Sequence, residues 1–164
     1  MGEFSAASEN ILSVLRVRGQ SLATAESITG GLLGGALTEI PGASDVFLGG
    51  VIAYDERIKV EHLDVPHQLI HERGVVSKEV ALAMARGVRA SFASDWAIST
   101  TGVAGPGASG AVPAGTVWIA IVGPVSNGAV AEMCEQLALA GDRQAVRSAT
   151  IARALAAFTR ILSA

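Results

Sequence analysis

The stretch T24-A-E-S-I-T-G-G-L-L-G-G-A-L-T-E-I-P-G-A-S-D-V-F-L-G-G-V-I-A-Y-D-E-R-I-K59 decides how the rest of the chain is read. Its first residues continue an alternating run from Ser21 to Glu26, which predicts a short strand. Four glycines follow at 30, 31, 34 and 35, inside a segment that Ser27 or Thr29 would cap as a helix and Pro41-Gly42 would end. Each of those glycines weakens a helix by up to ~1 kcal/mol relative to Ala, so the backbone is expected to approach something closely there. Phe47–Tyr54 then reads as a second strand, with Gly49-Gly50 marking a bulge or close contact. Strand, Gly-rich helix, strand is the unit of an α/β fold.

Working outward, Ser5–Arg18 has apolar residues at helical spacing and stops at Gly19. Downstream, a short turn or helix spans Asp55–Lys59, and Pro66 starts a helix that runs to Arg73. Ser77 caps a longer helix through Phe92, with Val80, Ala81, Met84 and Val88 on one face. Asp95–Thr100 is a strand that enters the turn-rich segment T100-T-G-V-A-G-P-G-A-S-G-A-V-P-A-G115. Two further strands, Thr116–Val122 and Ala129–Leu137, flank a Gly123–Gly128 connection, and a helix from Asp142 closes the chain. This order predicts one domain over 1–164, a three-layer α/β/α sandwich on a mixed sheet whose last strands run antiparallel. Met1–Phe4 read as a cloning remnant or a disordered start.

Composition narrows the function classes. A net charge of −3 argues against a general nucleic-acid binder, whose basic footprint would be conspicuous. Mean hydropathy is high at +0.45, yet the longest apolar runs, such as Val117–Val122, fall far short of the roughly 20 residues a bilayer requires. No apolar signal segment is visible near Glu3 and Glu9, and the single Cys134 allows no internal disulfide, so the expected location is the cytoplasm. Cys134, Trp96 and Trp118 read as core residues.

The chemistry concentrates in three places. E26-S-I-T-G-G31 offers backbone N–H groups and a helix start to an anion, without matching a dinucleotide or P-loop fingerprint. The 100–115 loop also follows a strand, so the two loops suggest a cleft at the strands' C-terminal ends. Ser44, Tyr54 and Lys59 supply a hydroxyl, a proton relay and an amine whose desolvation could make it a base. By spacing alone these three read equally well as scattered polar residues. His67 and His71 lie four apart on one helix, with His62 and Glu72 near, but no third metal ligand stands out and a solvated face is the simpler reading.

These residues together resemble the C-terminal domain of the competence/damage-inducible protein family, CinA. The matching motifs are T-A-E-S-I-T-G-G (24–31), P-G-A-S-D-V-F-L-G-G-V-I-A-Y (41–54) with Lys59, G-V-V-S (74–77), S-T-T-G-V-A-G-P (99–106), P-A-G-T-V-W (113–118) and G-D-R-Q-A-V-R (141–147). The family includes stand-alone nicotinamide-nucleotide amidohydrolases. The resemblance implies hydrolysis of the carboxamide of nicotinamide mononucleotide to nicotinate mononucleotide and ammonia, with no metal and no cofactor. It implies a serine nucleophile activated by lysine with a tyrosine assisting, placed on Ser44, Lys59 and Tyr54. Substrate contacts would come from Ser27, Thr29, Gly30 and Gly31 on one side and Thr101, Gly102 and Gly105 on the other. The expected partner is a small nucleotide, with no nucleic acid and no membrane, in a homo-oligomer. The G-A-S-G-A-V-P-A segment (107–114) departs from the family's usual Gly-Gly and Lys before the proline. Two other readings stay open: a catalytically silent nucleotide-binding module, and amide hydrolysis on a different pyridine or sugar-phosphate substrate.

Overall fold

A computed structural model describes residues 2–164. The elements are α1 (Ser5–Arg18), β1 (Leu22–Glu26), α2 (Leu32–Thr38), β2 (Phe47–Ile52), α3 (Glu56–Leu63), α4 (His67–Arg73), α5 (Lys78–Phe92), β3 (Trp96–Gly102), β4 (Thr116–Ser126), β5 (Ala129–Ala138) and α6 (Arg143–Ser163). A short 3-10 turn, Ala43–Asp45, precedes β2. The sheet order is β2-β1-β3-β4-β5; β2, β1 and β3 are parallel, and β4 and β5 antiparallel. The three-layer mixed α/β fold expected from the sequence is present.

Alternation along the strands sorts large residues to one face and small ones to the other. Leu22, Trp96, Ile98, Val117, Ile119 and Ile121 pack with α1, α2 and α6. Ala23, Ala25, Ala97 and Ala120 face α5 and its neighbours. Small side chains let α5 sit close to the sheet, where the Ser99 hydroxyl donates to the Ala81 carbonyl at 2.6 Å. Close approach continues between helices: a Cβ on Gly87 would collide with the Leu63 carbonyl. Each fully buried Leu or Ile contributes about 1.5–3 kcal/mol by leaving water, so this sorting fixes the strand register as well as the layers.

Several boundaries differ from the sequence reading. β2 ends at Ile52, two residues before Tyr54, because Tyr54 turns out of the sheet and is 64% exposed. The glycine pair does mark an irregularity: Leu22 opposes Phe47 while Ala23 opposes Gly49, leaving Leu48 as the extra residue. α3 is a full helix to Leu63 rather than a turn ending at Lys59, capped by Asp55, whose carboxylate accepts from the Arg57 N–H at 2.8 Å. β4 runs through Gly123 to Ser126, and the turn to β5 is Asn127-Gly128, both at positive φ, a tight hairpin signal. Phe4 packs against the larger core cluster; Met1 lies outside the described residues.

Candidate active site

β1, β2 and β3 all end on the same edge, and the segments that leave them surround one cleft. Its volume is about 440 Å³. Ser27 and Ile28 come from the end of β1, Tyr54 from the β2–α3 connection, Glu56 and Lys59 from the first turn of α3, and Thr101 to Ser109 from the end of β3 and the following loop. Val75, Val76, Val103 and Ala104 give it an apolar wall, and Arg143 from the start of α6 stands on its lining. Adjacent parallel strands whose connections diverge form the usual crevice for a ligand in open α/β sheets.

Register brings the reactive groups together. The Ala53 N–H donates to the Glu26 carbonyl at 2.8 Å, so the chain leaves β1 and β2 side by side. Ser27 follows directly on one strand, and the first turn of α3 folds Lys59 back toward it. Lys59 is only 2% exposed. Its Nζ donates to the Ser27 Oγ at 2.9 Å, to the Ala53 carbonyl at 2.6 Å and, more weakly, to the Tyr54 carbonyl at 3.4 Å. Burial disfavours the ammonium and lowers the lysine from its ordinary value of 10.5 to about 8, against the opposing fields of Asp55 and Glu56. A lysine tuned to that value carries a usable free amine at neutral pH.

Ser44 is the expectation the structure overturns. It lies on the 3-10 turn before β2 and lines a separate depression with Thr38, Pro41 and Leu48. Lys59 follows the opposite end of β2. Six residues of strand at roughly 3.3 Å each separate the two ends by about 20 Å. Ser44 therefore cannot pair with Lys59, and the serine that does is Ser27, expected as a substrate contact.

Thr29, Gly30 and Gly31 are also corrected. The anion seat expected at the start of α2 is filled by the chain's own Glu26. This buried carboxylate accepts from the Thr29 hydroxyl at 2.6 Å, the Leu33 N–H at 2.8 Å and the Gly34 N–H at 3.0 Å. Neither Ser27 nor Thr29 caps α2; its N-cap is Gly31, whose φ of 99° only glycine adopts easily. Thr29 is fully buried and its hydroxyl also meets that of Thr100 at 2.8 Å. Gly30 and Gly31 lie off the cleft lining, Gly31 beneath the Ile52 side chain. These residues shape the turn that presents Ser27.

Thr101, Gly102 and Gly105 do line the cleft, with the Thr101 hydroxyl donating to the Val75 carbonyl at 2.9 Å. Sequence reasoning missed two arginines. Arg147 donates from Nε to the Ile28 carbonyl at 3.0 Å and from an Nη to the Thr29 carbonyl at 3.2 Å, clamping the turn after Ser27. Arg143 donates to the Gly105 carbonyl at 2.8 Å and the Tyr54 hydroxyl at 3.0 Å, tying both sides of the cleft. Their signals were a spacing of four on one helix face and their place in the G-D-R-Q-A-V-R motif, to which no role was assigned. Among the described residues no group of three or more His, Cys, Asp or Glu is arranged to hold a metal. His67 and His71 lie on α4, off the cleft lining. Cys134 is half-buried, its thiol pushed up to about 11 by burial.

A family model for the CinA C-terminal domain matches residues 5–162. A CinA-like protein of Parasynechococcus marenigrum (strain WH8102) is 45% identical over 158 residues, covering 94% of this chain and 36% of its own length. One from Synechococcus sp. (strain RCC307) is 56% identical over 115 residues, covering 70% of this chain and 28% of its own length. The chain thus spans about a third of these relatives. Among solved structures, the competence damage-inducible protein A (ComA) from Klebsiella pneumoniae subsp. pneumoniae MGH 78578 superposes with a TM-score of 0.91 at 30% identity, covering 99% of this chain and 98% of that one. The competence/damage inducible protein CihA from Agrobacterium tumefaciens gives a TM-score of 0.90 at 33% identity, covering 100% of this chain and 98% of its own.

Proposed function

Since the chain belongs to the CinA C-terminal domain family, we propose that its cleft hydrolyses the carboxamide of nicotinamide mononucleotide, with Ser27 as nucleophile and Lys59 as base. The observation that carries this reading is the 2.9 Å contact between Lys59 Nζ and Ser27 Oγ at the base of a cleft that buries the lysine.

With Lys59 neutral, its two N–H bonds go to the Ala53 and Tyr54 carbonyls and its lone pair faces Ser27. The Ser27 O–H then donates to Nζ, and Oγ attacks the carboxamide carbon as Lys59 takes the proton. The oxyanion that forms needs N–H donors. The Ile28 N–H, directly after the nucleophile, makes no backbone hydrogen bond among the described residues and belongs to the cleft lining. The C–N bond breaks as the nitrogen receives a proton, and ammonia leaves an acyl-serine. Lys59 passes the proton it took from Ser27 to that nitrogen, directly or through the Tyr54 hydroxyl, which accepts from Arg143 and can give up its own proton while taking the one from Lys59, so that Lys59 is neutral again. Water, deprotonated by Lys59, hydrolyses the ester and restores Ser27. Val75, Val76 and Val103 suit a flat pyridinium ring.

The reading includes a cytoplasmic location and a homo-oligomer, acting on a small nucleotide without nucleic acid, membrane, metal or cofactor. No helix among the described residues is long and apolar enough to cross a membrane. The test is ammonia release from nicotinamide mononucleotide, with nicotinate mononucleotide as co-product. Release by the parent and none by Ser27→Ala supports the reading. Binding of the nucleotide with no release would make the protein a silent nucleotide-binding module.

A further inference from the structure

Resting on the amidohydrolase reading, we infer that Arg147 is a positioning residue for that reaction: from behind the cleft it aims and polarises the Ile28 N–H that receives the oxyanion. Its half-buried guanidinium meets no carboxylate among the described residues. Its hydrogen bonds go instead to two successive backbone carbonyls, Ile28 at 3.0 Å and Thr29 at 3.2 Å. Arg147 stands off the cleft lining, in a separate groove with Leu32, Ala36 and Ile151. It therefore acts on the turn after Ser27 and does not touch a substrate in the cleft.

A trans peptide unit is planar, with its C=O and N–H pointing in opposite directions, so holding one end aims the other. The guanidinium holds the Thr29 carbonyl, and the far end of that unit is the Gly30 N–H, which donates to the Ser27 carbonyl at 3.2 Å. The far end of the Ser27 unit is in turn the Ile28 N–H, on the cleft lining. Two hydrogen bonds in series thus connect the cation to the oxyanion donor, each polarising the next. The second grip, on the Ile28 carbonyl, fixes the peptide unit between them. At the near end the Ser27 N–H donates to the Thr100 carbonyl at 2.9 Å, and at the far end the Leu32 N–H donates to Thr29 at 3.0 Å. Gly30 leaves the guanidinium its room: a Cβ there would stand 3.1 Å from an Arg147 Nη, at a φ of 58° that suits glycine. Holding two carbonyls at once needs a planar fork, where a lysine offers a point charge.

The experiment compares the parent, Arg147→Gln and Arg147→Lys on two ligands of nearly the same shape. Nicotinamide mononucleotide is followed by ammonia release, and its binding by calorimetry with Ser27→Ala added, where no turnover occurs. The second ligand is the same nucleotide with an aldehyde in place of the carboxamide. Its carbonyl carbon bonds to Ser27 Oγ, the serine proton passes to Lys59, and the C=O electron pair becomes an oxyanion, so its affinity reports the oxyanion contact. Arg147→Gln should lower kcat by about 10²-fold, the low end for losing an oxyanion donor, and weaken the aldehyde by a similar factor. Amide binding should change by less than about threefold. Arg147→Lys keeps the charge and one bond and should fall between the other two in both measurements. A merely structural arginine would weaken amide and aldehyde alike. That result, or a kcat for Arg147→Gln within about threefold of the parent, overturns the inference and leaves the hydrolase standing. If Arg147→Gln does not fold, Arg147→Lys decides by the same comparison. A parent that neither releases ammonia nor captures the aldehyde overturns the hydrolase and the inference together.

Discussion

Lys59 donates to Ser27 across 2.9 Å although 32 positions separate them in the chain. The contact exists because Glu26 and Ala53 leave neighbouring parallel strands in register, bonded to one another at 2.8 Å. A nucleophile and its base then act as one unit. Ser27→Ala and Lys59→Ala should each lower kcat by at least ~10³-fold, and the double variant should be little worse than either single one, because removing half of such a unit already disables it. Ser44→Ala, on an exposed turn beyond the far end of β2, should keep parental kcat/KM. Steady-state ammonia assays on these four proteins decide it. An inactive Ser44→Ala beside an active Ser27→Ala would reverse the assignment.

Tyr54 is exposed and, among the described residues, its hydroxyl bonds only to Arg143, so Tyr54→Phe should fold normally. Losing one proton relay while Lys59 remains should lower kcat by roughly 10²-fold, the lower end of the range for a single acid–base group. The drop should fall on kcat more than on KM, because the ring still closes that side of the cleft. A KM effect alone would make Tyr54 a binding residue.

Glu26 carries a structural prediction with a catalytic consequence. Its carboxylate satisfies the Thr29 hydroxyl and two N–H groups at the start of α2, in a site 3% exposed. Glu26→Ala strands those donors and should cost roughly 2–4 kcal/mol, lowering Tm by about 5–10 °C in a chain of this size. Glu26→Gln keeps one acceptor oxygen and should cost less. Both should reduce kcat, since the same carboxylate shapes the turn that presents Ser27. A thermal scan that leaves Glu26→Ala at the parental Tm would show that the buried bonds contribute nothing net.

The layers were legible because they rest on local signals: period-2 strands, helix caps at Ser77 and Asp142, and glycine stops at Gly19 and Gly74. The cleft was legible for the same reason, as two Gly-rich loops each follow a strand. The pairing inside it was not. Whether Lys59 meets Ser27 or Ser44 depends on which end of β2 each serine occupies, and a motif in which Ser44 lies nearer Tyr54 in sequence points to the wrong end. Glu26 was invisible as a cap because it precedes the helix it caps, across a turn closed by Gly30 and Gly31. Arg143 reaches the cleft, and Arg147 the turn after Ser27, from the C-terminal helix through contacts 38 or more positions apart, where periodicity says only that they share a face.

The pH dependence tests the role of Lys59 directly. Burial lowers its folded pKa from 10.5 to about 8, so as the base it must lose a proton before it can serve Ser27. kcat/KM in the free enzyme should therefore rise tenfold per pH unit below that value and level off above pH ~8. The stability sign follows from the same shift. Between about 8 and 10.5 the unfolded chain holds a proton on this lysine that the folded chain lacks, so stability gained from this group rises with pH in that window. Below about 8 both states are protonated, and burying the ammonium costs stability in full. Lys59→Met removes that cost and keeps the aliphatic volume in a site 2% exposed. The variant should be inactive and at least as stable as the parent at pH 7, its advantage shrinking as pH climbs toward 10. The checks are a pH–rate profile and paired melting curves at pH 7 and pH 9.5. A flat profile between pH 6 and 9, with Lys59→Met melting well below the parent at pH 7, would make Lys59 a charged structural residue and remove the base from the mechanism.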